Sequence, residues 1–257
     1  MNIALQSFPE DPFALEAPAA YRRWREAKLA RHPRRPEELV VEVRDPRSLT
    51  DAEAGELRRI CARSNMAVYA SPLGALEDKA IALRLGAQLG LGAPLANLLA
   101  DEDAITSLEA APEKAGRGYI PYSSRRLLWH TDGYYNPPAQ RIRAFILHCV
   151  RPAASGGENR LLDHEIAYLL LRDADPRYVE ALSAPDAMTI PAREDVFTNA
   201  GSGVVEVLWT ITVRTVSPPG DIPVGGLNVT LTSASDPLEM LVVGYVLGCS
   251  GNGRSGR

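Results

Sequence analysis

The stretch Leu127-Leu-Trp-His-Thr-Asp-Gly133 decides how this chain is read. Its apolar and aromatic residues predict a β-strand, and Gly133 lets the chain turn directly after it. Side chains alternate along a strand, so His130 and Asp132 project from one face while Trp129 and Thr131 project from the other. An imidazole and a carboxylate placed this way can both reach a single cation. Alone, a His-x-Asp pair is a weak signal, because a surface hydrogen-bonded pair has the same spelling.

The neighbours on both sides sharpen it. Upstream lies Tyr119-Ile-Pro-Tyr-Ser-Ser-Arg-Arg126, and downstream Tyr134-Tyr-Asn-Pro-Pro138. Ile142–Val150 predicts a further strand, and residues 152–157 a loop. Asp163–Leu171 predicts a helix with Asp163 as its N-cap, with more helix after Asp175-Pro176 through Leu182. His164, at the start of that helix, is expected to be partly exposed. Met188–Pro191 returns to strand. Toward the N-terminus, Leu15, Ala19, Trp24 and Leu29 recur at helical spacing over residues 14–31, and Pro33 and Pro36 end that element. Leu39–Val43 reads as a strand. Thr50 and Glu53 spell a capping box for a helix to about Arg63, with Leu57, Ile60 and Cys61 inward. Met66–Tyr69 predicts a strand, and Leu76–Leu89 a helix closed by Gly90 and Gly92.

Composition excludes several classes. The 257 residues suffice for one larger domain, and a formal net charge of -4 leaves no basic footprint for nucleic acid. The basic run Arg31–Arg35 is broken by Pro33 and followed by Glu37 and Glu38, and it reads as a solvated turn. Residues 1–13 lack a basic n-region and are not read as a signal peptide. The longest apolar stretch, Met240–Cys249, is too short to span a bilayer. Cys61, Cys149 and Cys249 are scattered and lack metal-type spacing. They are read as reduced thiols of a cytoplasmic protein.

Residues 119–138 resemble the ligand strand of the TauD/TfdA (taurine dioxygenase-like) family of iron(II)/2-oxoglutarate-dependent dioxygenases, where the segment commonly reads Trp-His-Thr-Asp. Such enzymes hold iron(II) with two histidines and one carboxylate on one face of an octahedron. The resemblance implies an α+β fold with a double-stranded β-helix (jelly-roll) core and flanking N-terminal helices. It also implies His130 and Asp132 as metal ligands, Fe(II) as cofactor, 2-oxoglutarate as co-substrate, and dioxygen plus a small organic molecule as reactants. Arg143–Val150 is similar to the family's next barrel strand. Residues 152–163 are similar to the loop after it, where a Gly-Gly-Asp/Glu-Thr pattern places a hydroxyl near the 2-oxoglutarate carboxylate. Here Gly156-Gly157-Glu158-Asn159 puts Asn159 at the threonine position, where its amide can donate a hydrogen bond. Tyr134, Tyr135 and Asn136 fall where a substrate pocket would be lined, although rim packing explains them equally well. The likeness runs from about Tyr119 to Arg193, and Leu39–Leu91 offers the family's strand, helix, strand and helix before the barrel.

The likeness ends near Phe197. The family's second histidine ligand lies far downstream of His-x-Asp, with an arginine beyond it for the distal carboxylate of 2-oxoglutarate. This chain has no histidine after His164 and no lysine after Lys114. From residue 198 only seven charges remain: Glu206, Arg214, Asp221, Asp236, Glu239, Arg254 and Arg257. The chain is therefore read as one domain, 1–257, family-like to about 197, with an atypical tail over 198–257 and a barrel incomplete at its C-terminal end. A reading-frame change or truncation near residue 198 is one hypothesis for that break. Resequencing that upheld the frame, with the same tail in close relatives, would end it. His148, His164 and His32 are the remaining candidates for a third ligand, with a structural role the simpler reading of each. Arg214 lies in an alternating run and is read as facing solvent. Two other classes stay open: a non-catalytic jelly-roll module or remnant, and a zinc hydrolase using His130, Asp132 and His148. The substrate is not legible.

Overall fold

The computed structural model describes residues 11–73, 75–94, 104–109, 130, 142, 144–151, 161–184 and 187, and the backbone of 209–210 and 230–231. Among these residues the chain mixes helices with short strands. In order they are α1 (Pro18–Arg31), a 3-10 turn (Pro36–Leu39), β1 (Val40–Glu42), α2 (Asp51–Ser64), β2 (Val68–Ala70) and α3 (Ala80–Leu89). After these come α4 (His164–Ala174), α5 (Pro176–Leu182), β3 (Trp209–Thr210) and β4 (Thr230–Leu231). No helix of the described residues is long and apolar enough to cross a membrane.

Helix boundaries follow local chemistry. Thr50 accepts from the Glu53 amide and Glu53 answers with its carboxylate, so the predicted capping box is formed. Amide hydrogens of Arg44 and Thr50 on that carboxylate hold Glu53 below its ordinary pKa. α2 ends on Asn65, whose φ of 55° is left-handed, a conformation asparagine tolerates better than most residues. α3 ends on Gly90 at φ 87°, and the Leu91 amide donates to the Gly86 carbonyl. Asp163 caps α4 through the Glu165 amide, as its sequence predicts. Asp175 closes α4 and caps α5, with Pro176 in the first helical turn.

β1 and β2 pair in parallel, Val41 opposite Tyr69, with α2 as the connection. β3 and β4 pair antiparallel, Trp209 opposite Leu231. The strand predicted over Met188–Pro191 lies outside the described residues, as does the 127–133 stretch apart from His130.

Two apolar clusters hold these elements. The first joins Tyr21 and Trp24 of α1 to Tyr168 and Leu169 of α4 and Val179 of α5. The second joins Val41 and Val43 to Leu57 and Ile60 of α2 and Ile81 and Leu85 of α3, around Tyr69. Full burial of one such aliphatic side chain contributes about 1.5–3 kcal/mol.

Four expectations are corrected. Ile142–Val150 is not a continuous strand: among its described residues only Ala144 carries a bridge. The segment nevertheless keeps a strand's alternation. Phe145 and Leu147 pack on the first cluster, whereas Ile146 packs on the second and His148 reaches Tyr69. The apolar pattern is therefore satisfied by insertion between two cores rather than by ladder bonds. In α1, Leu29 is 41% exposed and Lys28 is 4% exposed. The inward stripe is Tyr21, Trp24 and Lys28, because Lys28 finds buried carboxylates to pair with. His164 is fully buried rather than partly exposed, because the residues on either side of it, Asp163 and Glu165, are both drawn to Lys28 of α1. Cys149 is disulfide-bonded rather than reduced, while Cys61 keeps its thiol. That sulfur is therefore not available as a nucleophile.

Candidate functional site

His130 is half-buried. Asp132, Tyr134, Tyr135, Asn136, Asn159 and Arg214 lie outside the described residues. Among the described residues, no group of three or more His, Cys, Asp or Glu side chains is arranged to hold a metal ion.

The other histidines can be judged individually. His148 sits beside Tyr69, with ring centroids 6.1 Å apart and planes 2° from parallel. The Tyr69 hydroxyl bonds to Nδ1 of His148, and Nε2 lies 3.4 Å from the Leu76 carbonyl oxygen. For a neutral imidazole these contacts require that Nε2 carries the hydrogen and donates to Leu76 while Nδ1 accepts from Tyr69. Burial lowers the pKa of His148 and raises that of Tyr69, so both stay neutral near pH 7. Both ring nitrogens of His148 are committed, so it offers no lone pair to a metal. This also removes the hydrolase reading that required it.

His164 has no exposed surface, and neither ring nitrogen has a hydrogen-bond partner among the described residues. Burial lowers its pKa; the nearby carboxylates of Asp163 and Glu165 raise it less, and the Lys28 ammonium opposes a proton. That ammonium lies 2.6 Å from Asp163 Oδ2, contacts Glu165 and donates to the Arg63 carbonyl. Asp163 also accepts from Asn65 Nδ2 at 2.8 Å. His32 lies 3.8 Å from the same Asp163 oxygen. A cation already occupies this cluster, so it does not suit a second one. The sequence held a signal for it: Lys28 falls at helical spacing from Tyr21 and Trp24, and Asp163-His-Glu165 opens a helix. Nothing in the sequence pointed to Tyr69 as the partner of His148.

Among the described residues, neither His148 nor His164 is placed as a metal donor.

Comparison with known proteins places the chain. It is 32% identical over 129 residues to an Amycolatopsis sp "Uridine-5'-phosphate dioxygenase", covering 45% of this chain and 46% of that protein. The chain thus spans less than half the length of that relative. No solved structure matches the chain significantly. The sequence model of the Taurine catabolism dioxygenase TauD, TfdA family matches residues 27–210, well over half of the 257 residues. The match takes in the strand, helix, strand and helix of the N-terminal part, the His130-x-Asp132 stretch, and α4 and α5. On this match the chain belongs to the TauD, TfdA family of dioxygenases.

Proposed function

We propose that this chain carries the iron(II)/2-oxoglutarate site of its family on a jelly-roll core, with His130 and Asp132 as two iron ligands. The observation that carries the reading is the Trp129-His-Thr-Asp132 stretch inside the family match. Asn159 donates from its amide to the 2-oxoglutarate carboxylate, and Tyr134 and Asn136 line the substrate pocket. Iron(II) with 2-oxoglutarate would supply the activation of dioxygen that oxidises a substrate C–H bond. The protein's own task is to hold these reactants together and oriented.

The substrate is a small organic molecule. The similarity to a uridine-5'-phosphate dioxygenase makes a phosphorylated nucleoside the first compound to try.

Because the set has two protein ligands, binding is weak and turnover small. Loss of an outer-shell partner typically costs about 10–100-fold in metal affinity or activity, and loss of a direct ligand costs at least as much. The test is an anaerobic titration of the full chain with Fe(II) and 2-oxoglutarate, followed by a turnover assay with uridine-5'-phosphate. Weak binding abolished in His130→Ala and Asp132→Ala supports the reading. No binding at any concentration refutes it. Tight stoichiometric binding overturns the two-ligand assignment.

A second reading is a non-catalytic member of the family that keeps half of the metal site. The commitment of both His148 nitrogens and the burial of His164 against Lys28 favour it. On that reading, substituting His130 or Asp132 changes stability and leaves iron affinity at its background level.

A further inference from the structure

We propose that the junction of α1, α2 and α4 around His164 is an acid-sensitive latch, opened by a proton taken up on that imidazole. The geometry carries the case. His164 is fully enclosed, and neither ring nitrogen has a hydrogen-bond partner among the described residues. Lys28, Asp163 and Glu165 act on it directly, while His32, Arg63 and Asn65 contact those three in turn, so the junction draws on three elements. Lys28 belongs to α1 and His32 follows it, Arg63 and Asn65 lie at the end of α2, and Asp163 and Glu165 open α4.

The two carboxylates that could receive an imidazolium proton are already engaged. Lys28 pairs with both, Asn65 donates to Asp163, and Asp163 also caps α4. A proton on His164 therefore creates a buried cation beside an ammonium, and neither ring nitrogen has a hydrogen bond to a carboxylate that would receive it. His32 differs, because Asp163 lies 3.8 Å away and about a third of the His32 side chain meets solvent. Its proton is partly hydrated; that of His164 is wholly enclosed, and the pull of Asp163 and Glu165 is smaller than the cost of burial. Opening the junction hydrates all these groups at once.

The sign follows from burial, which holds His164 below its ordinary value of 6.5 in the closed state. The closed state binds fewer protons than the open state, so acid favours opening as pH falls below about 6.5. Opening should be local. The second apolar cluster, built on β1, α2, β2 and α3, contains none of α1 or α4.

The test is hydrogen–deuterium exchange of the full chain at pH 7.5 and 5.5, corrected for intrinsic exchange rates. Peptides covering α1 and α4 should open about tenfold more at the lower pH, as one added proton dictates. Peptides covering β1, β2 and α3 should not change. His164→Gln should remove most of the difference, the remainder belonging to His32, whose burial lowers its value as well, while His148→Gln should leave it intact. If His164→Gln does not fold, the imidazole signals of carbon-13-histidine-labelled wild-type protein replace it. His164 must then stay neutral until α1 and α4 open and titrate together with that opening. A uniform rise in exchange across the chain, an undiminished difference in His164→Gln, or protonation of His164 without opening would each overturn the proposal.

Discussion

The hydroxyl of Tyr69 donates to Nδ1 of His148 across 79 positions of sequence, and this bond fixes which imidazole nitrogen carries the hydrogen. It ties the parallel β1–β2 unit to the extended segment 144–150. Tyr69→Phe keeps the buried ring and removes the donor. The expected cost is about 0.5–1.5 kcal/mol of stability, because half-buried His148 can recover water at Nδ1. Urea denaturation with an unchanged m-value measures it. A loss of about 4 kcal/mol would mean that the ring packing, not the bond, is the main tie.

Lys28 is the only buried cation of α1, and both of its carboxylate partners belong to the start of α4. Lys28→Met leaves Asp163 as an uncompensated charge with side-chain exposure of 1%. Breaking a buried pair from one side costs about 3–5 kcal/mol. The double variant Lys28→Met/Asp163→Asn should recover a good part of that, since no charge is then left buried. Thermal melts of the wild type, the two single variants and the double variant close the cycle. An additive double variant would show that the two side chains act independently.

Leu85 is fully buried in the second cluster, and Ile146 packs against the same helix at Gly86. Leu85→Ala should cost about 2–5 kcal/mol through lost transfer energy and the cavity left behind. Gly86→Ala places a methyl 3.4 Å from Cδ1 of Ile146, an ordinary contact at the end of a flexible side chain. Its effect should stay within about 1 kcal/mol, with helix propensity in its favour. Chemical denaturation of both variants checks the contrast.

How much of this was legible depends on how local the cause is. The Thr50–Glu53 box, the Gly90 stop and the Asp163 cap sit within a few residues of the helix ends they define, so the sequence showed them. The His130-x-Asp132 reading rests on a two-residue spacing alone, and Asp132 lies outside the described residues. The 144–150 segment was legible in its alternation but not in its pairing. A ladder needs partners that pattern alone does not name, and here the two faces are filled by separate cores. The burial of Lys28 showed only in its helical spacing from Tyr21 and Trp24, because its partners Asp163 and Glu165 lie far along the chain. The enclosure of His164 between those two carboxylates was, for the same reason, not legible.

Stability should fall on acidification below about pH 6.5. Burial holds His32, His148 and His164 below their ordinary values, so the unfolded chain binds more protons than the folded one. The sign is therefore a stability that rises with pH through the window just below 6.5 and levels off above it. Melting temperatures from pH 5 to pH 8 test this. A flat profile over that range would mean that the three imidazoles titrate normally in the folded protein.

The last prediction separates the candidate ligands. His130→Gln and Asp132→Asn each remove one of two proposed iron donors, and each should weaken Fe(II) binding by at least about 10–100-fold. His148→Gln should leave that affinity unchanged, because both nitrogens of His148 are spent on Tyr69 and Leu76. The comparison is made anaerobically with 2-oxoglutarate present, and folding of each variant is checked by its melting temperature. A loss of iron binding in His148→Gln equal to that in His130→Gln would show that the Tyr69 bond is given up when metal arrives. His148 would then be the third donor, and the two-ligand account would be wrong. Unchanged affinity excludes His148 as a donor and leaves the two-ligand proposal standing.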